Sequence, residues 1–419
     1  MDRNASANFD PGDQHRRNFS AYTCCLAIIF CSTVLQKVSL VGLATSLSIN
    51  TAIVPLICIY AFVFKKVDLN ISGFFAFCIF ALSGLVSAII GSTIGNPSLS
   101  AFALVLVVQF PLIFRPSENE KDDLKIYEAF NNIMCIICIG GIIQFLSQFA
   151  IGSRYSFFLD YSLPSWLATE GFGNLNNLSY GSAVFKSNGI FFLEPSFFGQ
   201  YLALGAIIEI LTKQRPMRIL IYAGALLCSF SGTGLVTLGI FGTYIIIKRG
   251  NLPLLIMIVL FILIVFLFGD AIGIEAITGR VNELSVPGSS GHLRFVTPFQ
   301  LIGKFVFTDF YSIMFGRGPG AFATSQSSLE FGATDATWSK IVLEYGFVGF
   351  VTYVCFLYVC IHSKTNPLLL PVILVYSFFG GYLTNSSILA LVLVLSVWSD
   401  GSCLSIKQQF HMNRVQVES

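Results

Sequence analysis

The chain has 419 residues, 55% hydrophobic and only 11% charged, with a mean hydropathy of +0.77. That composition excludes an ordinary soluble globular protein. The formal net charge of +2 says nothing about nucleic acid, but the sequence offers no basic face to bind it, so nucleic acid is not expected as a partner.

In chain order, residues 1–20 form a polar tail carrying Arg3, Arg16 and Arg17. The tail lacks the short apolar core and small-residue cleavage site of a signal peptide, so the first helix is expected to stay as an anchor. Apolar runs then recur at 21–36, 50–64, 70–91, 97–114, 129–150, 190–212, 217–231, 233–247, 252–270, 338–361, 367–383 and 385–399. Each is close to the ~20 residues that span hydrocarbon. The pattern predicts an all-α polytopic membrane protein of about 12 transmembrane helices, with both termini on one side. The expected divisions are an inner tail (1–20), N-terminal transmembrane helices (21–150), an outer loop (151–189), central helices (190–270), a large outer loop (271–337), C-terminal helices (338–399) and an inner tail (400–419).

Most Lys and Arg fall on the side assigned as inner, including Lys65, Lys66, Arg115, Lys248 and Arg249, as the positive-inside rule requires. Lys37, Lys340 and the cations of the two long loops make up the outer set. The layout is weakest at 37–49, which is itself apolar, and at Ser229-Phe-Ser-Gly-Thr-Gly234. Were that second stretch continuous helix, every later segment would flip. All eleven cysteines lie in or beside apolar runs, so no disulfide framework is expected. Cys135-x-x-Cys138 reads as packing inside a membrane segment. No internal repeat is visible and acids are scarce at mid-membrane, which weighs against a carrier built from inverted halves.

The chemistry therefore has to sit in the outer loops. The first holds Tyr155, Phe158, Tyr161, Trp166 and Tyr180, rings that suit an interfacial belt or stacking on sugar faces. The second, with Lys340 just past its end, balances five cations against five acids, so an anion site there must be a local constellation. Gly316-Arg-Gly-Pro-Gly320 reads as a tight turn with exposed N–H groups, useful for anions or simply a surface turn. His292 reads as structural, and nothing around it has metal-ligand spacing. Between the loops runs Lys186-Ser-Asn-Gly-Ile-Phe-Phe-Leu-Glu-Pro-Ser-Phe-Phe-Gly-Gln200. Pro195 predicts a helix start there, with Glu194 at its rim. Glu194 is a functional candidate or a snorkelling cap; both readings stand.

Lys186-x-x-Gly189 followed by Glu194-Pro-Ser196 resembles the Arg-x-x-Gly…(Glu/Asp)-Pro-(Ser/Asn) segment of the O-antigen ligase and Wzy-type polysaccharide polymerase family. Ser289-Ser-Gly-His-Leu-Arg294 resembles its arginine motif, and Phe315-Gly-Arg-Gly-Pro-Gly-Ala-Phe322 its Gly-x-Gly-x-x-Phe turn. Asp335-Ala-Thr-Trp338…Glu344-Tyr-Gly346 is similar to its His-Asn-x-Tyr-Leu…Glu-x-Gly. The break at 229–234 resembles its small-residue turn. The similarity covers about 180–350, and the order of the motifs is more specific than any one of them.

The resemblance implies a GT-C-like membrane glycosyltransferase of the bacterial inner membrane with its active site facing the periplasm. It implies transfer of glycan from an undecaprenyl diphosphate donor to a hydroxyl, in exopolysaccharide or O-antigen synthesis. Charge grows on the leaving diphosphate, so fixed cations favour the transition state. Arg294 is the first candidate for that role, followed by Arg280 and Lys186, with Arg317 last. Asp335 is the candidate general base or else a helix cap, and Glu194 is the alternative base or the group that orients a cation. Two departures from the pattern are Lys186 in place of arginine and Asp335 in place of histidine. The second points to a polymerase rather than a ligase, because a lipid-linked repeat unit is then the acceptor. The alternatives are ligase-type transfer to a lipid or other acceptor, and a polysaccharide or lipid-linked oligosaccharide transporter. No cofactor or metal is expected. The expected partners are the undecaprenyl-diphosphate-linked oligosaccharide, membrane lipid, a chain-length regulator and a flippase.

Overall fold

The computed structural model describes residues 20–39, 47–93, 96–117, 123–169, 175–178, 182–249, 285–361, 366–401 and 404. Most of the two tails, the expected span 252–270, Tyr180 and Arg280 lie outside the described residues. Within them the chain is mostly helical, with one small antiparallel pair, β1 (Val67–Leu69) and β2 (Phe114–Pro116).

In chain order come α1 (Ala21–Val34), α2 (Asn50–Val63), α3 (Ile71–Gly91), α4 (Leu99–Gln109) and α5 (Asp123–Ile151). The short α6 (Ser153–Ser156) and α7 (Phe158–Ser162) precede α8 (Pro195–Leu211), α9 (Pro216–Ser229) and α10 (Gly232–Arg249). Four short helices follow, α11 (Ser290–Phe295), α12 (Thr297–Phe305), α13 (Phe310–Phe315) and α14 (Ala321–Gln326). The chain then continues through α15 (Thr337–Cys360), α16 (Leu369–Phe378) and α17 (Ser386–Val392), the last running on as a π-helical stretch, Leu393–Val397. By length and composition α3, α5 and α15 could each cross a membrane, and eight shorter apolar helices accompany them. Every expected span within the described residues coincides with one of these helices.

Local chemistry sets several of the ends. Ser20 and Ser98 accept the amides of Thr23 and Ala101 and so cap α1 and α4. Pro195 and Pro216 open α8 and α9 at the first helical position. The helix expected from 129 begins at Asp123, and the one expected to run to 383 ends at Phe378. Of the run from 190, residues 190–194 form a turn and bends, and the helix starts at Pro195, where the proline predicts it.

The centre of the bundle is α8. Apart from Ser196 and Ile210 its residues are buried, and it packs against α5, α9 and α10. The break at 229–234 is present: α9 ends at Ser229, Phe230 takes a left-handed φ of 45°, and α10 starts at Gly232. This turn seats on Gly199 of α8, where a methyl group would collide with Ser231. The final helix, Ser386 to Val397, is buried at every position. A second close approach joins the loop before α14 to α15. Gly316 (φ 74°) lies against the kink of α15 at Gly346 (φ 66°), and a methyl group on Gly316 would sit 2.5 Å from the Glu344 carbonyl carbon.

Candidate active site

The segment leading into α8 is held by amide side chains of α5. Gln148 Nε2 donates to the Phe185 carbonyl at 3.0 Å, and its Oε1 accepts the Phe185 amide at 2.9 Å. One turn earlier, Gln144 Oε1 accepts the Ser187 hydroxyl at 2.9 Å and the Asn188 amide at 3.2 Å. This brings Lys186 and Glu194 to the walls of one cavity. Glu194 occupies the N-cap position of α8 but makes no side-chain cap bond. Its Oε2 instead accepts the Ser196 hydroxyl at 2.9 Å.

Arg294 approaches from α11, which Ser289 caps by accepting the His292 amide at 3.2 Å. Arg294 Nη2 donates to Ser196 Oγ at 3.2 Å and lies 3.6 Å from Glu194 Oε2, with the guanidinium side chain 15% exposed. Glu194, Ser196 and Arg294 thus form one cluster across the start of α8. The hydroxyls of Ser231 and Thr233 continue it, 3.1 Å apart, and Thr233 also donates to the Ser196 carbonyl at 3.3 Å.

Two cavities meet at this cluster. The first, about 500 Å³, is lined by Lys186, Glu194, Ser196, the 230–233 turn, Val236 and Arg294, with Phe295 at its edge. The second, about 410 Å³, shares Glu194 and Arg294 and is completed by Thr51, Thr169, Asp335, Tyr382 and Asn385. Asp335 lies over Gly381, where a methyl group would collide with the carboxylate, and it pairs with Lys340 at 2.9 Å. The residue at the N-cap of α15 is Ala336, with no side-chain cap bond, so Asp335 does not cap that helix. Tyr382 is fixed by donating to Gln200 Oε1 at 2.7 Å.

A family model described as WcaD colanic acid polymerase matches residues 24–413. The chain belongs to the WcaD colanic acid polymerase family. No curated protein matches the chain. As a WcaD-family member it is a Wzy-type polysaccharide polymerase, a glycosyltransferase-type enzyme of polysaccharide biosynthesis whose apolar helices fit a membrane protein.

Of the residues expected at the site in this WcaD-family chain, Glu194 and Arg294 stand on the shared wall, Lys186 in the first cavity and Asp335 in the second. Arg317 lines neither cavity: its Nε donates to the Phe305 carbonyl at 2.7 Å and its Nη2 to Thr308 Oγ1 at 2.8 Å. There it ties α12 to the turn before α13. Beside it, Asp309 caps α13, and the Ser312 amide, then the Ser312 hydroxyl, hold its carboxyl down to about 2. His292 is held by Thr297, whose hydroxyl meets Nδ1 at 3.2 Å. Among the described residues no group of three or more His, Cys, Asp or Glu is placed to hold a metal ion. Gln144 and Gln148 were not anticipated, although a pair of amides four apart on an apolar helix is a readable signal of an inward-facing polar stripe.

Proposed function

We propose that the polymerase transfers a growing glycan from undecaprenyl diphosphate to a hydroxyl on the sugar end of an incoming lipid-linked repeat unit. The observation that carries this reading is the Glu194–Ser196–Arg294 cluster forming the common wall of two cavities, with a second cation in one and a carboxylate in the other. In the first cavity Arg294 and Lys186 receive the donor diphosphate, and Phe230, Val236 and Phe295 suit the hydrocarbon that follows it. The second cavity receives the acceptor sugar.

In the transfer, the bond between the donor's anomeric carbon and its phosphate oxygen breaks, and its electron pair leaves with the diphosphate. The acceptor oxygen bonds to that carbon and gives its proton to the Asp335 carboxylate. Negative charge grows on the leaving group, so Arg294 and Lys186 stabilise the transition state more than the ground state. Arg294 presents a fork to the phosphates and Lys186 a point charge. The approach of Glu194 to Arg294, bridged by Ser196, supports an orienting role for Glu194.

We further infer a GT-C-type arrangement of twelve crossings in the bacterial inner membrane, the cavities opening to the periplasm, with a chain-length regulator and a flippase as working partners. Deleting the gene and analysing lipid-linked glycans tests the function. Single repeat units accumulating on the lipid are expected. Long unattached chains would instead indicate a ligase, and retention in the cytoplasm a transporter.

A further inference from the structure

The turn that sets Lys186 and Glu194 in place is an unfavourable one. Gly189 and Ile190 follow each other with φ of 64° and 70°. The left-handed region is costly for a β-branched side chain, so such a residue persists only where its surroundings over-determine it. Here they do. The Ile190 amide reaches Gln144 Oε1 at 3.3 Å, and Lys37 Nζ donates to the Ile190 carbonyl at 2.6 Å.

Lys37 lies in the turn that follows α1. Its ammonium also meets Asp160 Oδ1 of α7 at 2.6 Å, and the two side chains are 2% and 1% exposed. Asn188 Nδ2 donates to Asp160 Oδ2 at 3.3 Å, which returns the network to the turn. Backbone contacts fix the lysine itself: Val38 bridges Ala168, and the Thr169 amide donates to the Lys37 carbonyl at 3.0 Å. Burial pulls the Lys37 ammonium below its ordinary value and pushes the Asp160 carboxyl above its own, and each charge opposes the shift of the other. Taking two charges out of water is expensive, and a well-packed apolar pair often stabilises a fold as much or more. Stability alone is therefore a weak account of this pair.

We propose that Lys37, with Asp160, is a positioning residue that clamps the strained Gly189–Ile190 turn, so that Lys186 and Glu194 face the cavity that takes the lipid diphosphate. The clamp rests on the reading of that cavity given above. Lys37 touches no substrate. It acts through the Ile190 carbonyl, and Thr169 beside it lines the second cavity.

The test uses full-length protein in detergent and in proteoliposomes, with Lys37→Arg, the double variant Lys37→Met/Asp160→Leu, and that double variant carrying Ile190→Gly. The double variant removes both charges, so no buried charge is left unpaired. Two readouts are taken: turnover of a lipid-diphosphate-linked repeat unit, and hydrogen exchange of residues 186–194 without substrate. The double variant is expected to melt near the wild type, to lose protection in 186–194, and to lose about tenfold in kcat. Ile190→Gly removes the strain that needs the clamp, so it is expected to restore most of both losses. Lys37→Arg is expected to keep protection and turnover within about twofold of the wild type. Wild-type protection and turnover in the double variant would overturn the proposal. So would losses that Ile190→Gly leaves untouched, because they would mark the pair as general support. Should the double variant not fold, unprotected 186–194 in a folded Lys37→Arg protein would overturn it equally. A wild-type protein that shows the expected exchange pattern but never elongates glycan would contradict the reading of the cavity and leave the clamp standing.

Discussion

Both contacts of Arg294 at the cluster come from one nitrogen, Nη2, and the residue lines both cavities. Arg294→Ala is expected to lower turnover by about 10²–10³-fold, the usual cost of removing one preorganised charge-stabilising donor. Arg294→Lys should fall between, because charge survives and the fork does not. Asp335→Asn is expected to cost about 10²-fold or more, the range of general-base catalysis, while binding of a lipid-linked donor is retained. Release of lipid diphosphate and donor binding, measured separately, check both. The placement of these four charged positions (Lys186, Glu194, Arg294 and Asp335) on the walls of the two cavities was legible because charge is scarce in the chain and each sits in a motif. The role of Arg317 was not, because its partners are the carbonyl of Phe305 and the hydroxyl of Thr308, which come within reach only once the loop has folded.

Among the elements, the 316–320 turn meets α15 through two glycines, through the Arg317 and Gly318 amides donating to the Leu343 and Glu344 carbonyls at 2.9 Å, and through the Glu344 carboxylate, which accepts the Phe322 amide at 3.3 Å. Gly316→Ala would force a methyl group onto the Glu344 backbone at a positive φ. Overpacking of this kind costs about 1–3 kcal/mol, so a melting temperature several degrees lower in detergent is expected. Helix α13 carries a pH dependence of known sign. Asp309 has its carboxyl depressed to about 2 in the fold, against about 3.9 for a free aspartate. Its support for α13 is therefore complete above pH 4 and is lost as pH falls through 2. Protection factors for residues 310–316 should decline over that window, and in Asp309→Ala they should be low throughout. Helix existence was legible from apolar runs, and the start of α8 from Pro195, although residues 190–194 are apolar and the hydropathy run alone begins earlier; they turn because Gly189 and Ile190 go left-handed. The start of α5 was not legible, because Asp123 to Glu128 extends the helix beyond its apolar run.

In the whole molecule, composition does not say which helix is central. Ile71–Gly91 and Ser386–Val397 are both strongly apolar, yet the first leaves Phe75, Leu82 and Ile89 exposed and the second is buried throughout. The difference comes from neighbours: α17 is enclosed by α1, α2 and α16, while α3 packs mainly on α15. Such long-range choices leave no mark on a local hydropathy pattern. The proposed topology puts residues 285–336 outside the cytoplasm, and thiols introduced at Ser327 or Ser328 should react with impermeant reagents in spheroplasts without permeabilisation. The most direct measurement is reconstitution of the purified chain in liposomes with a lipid-diphosphate-linked repeat unit as the sole substrate. A ladder of lipid-linked oligomers, with one lipid diphosphate released per bond formed and none from Arg294→Ala, is the predicted result. Unchanged monomer, or an equal ladder from the properly inserted Arg294→Ala protein, would contradict it.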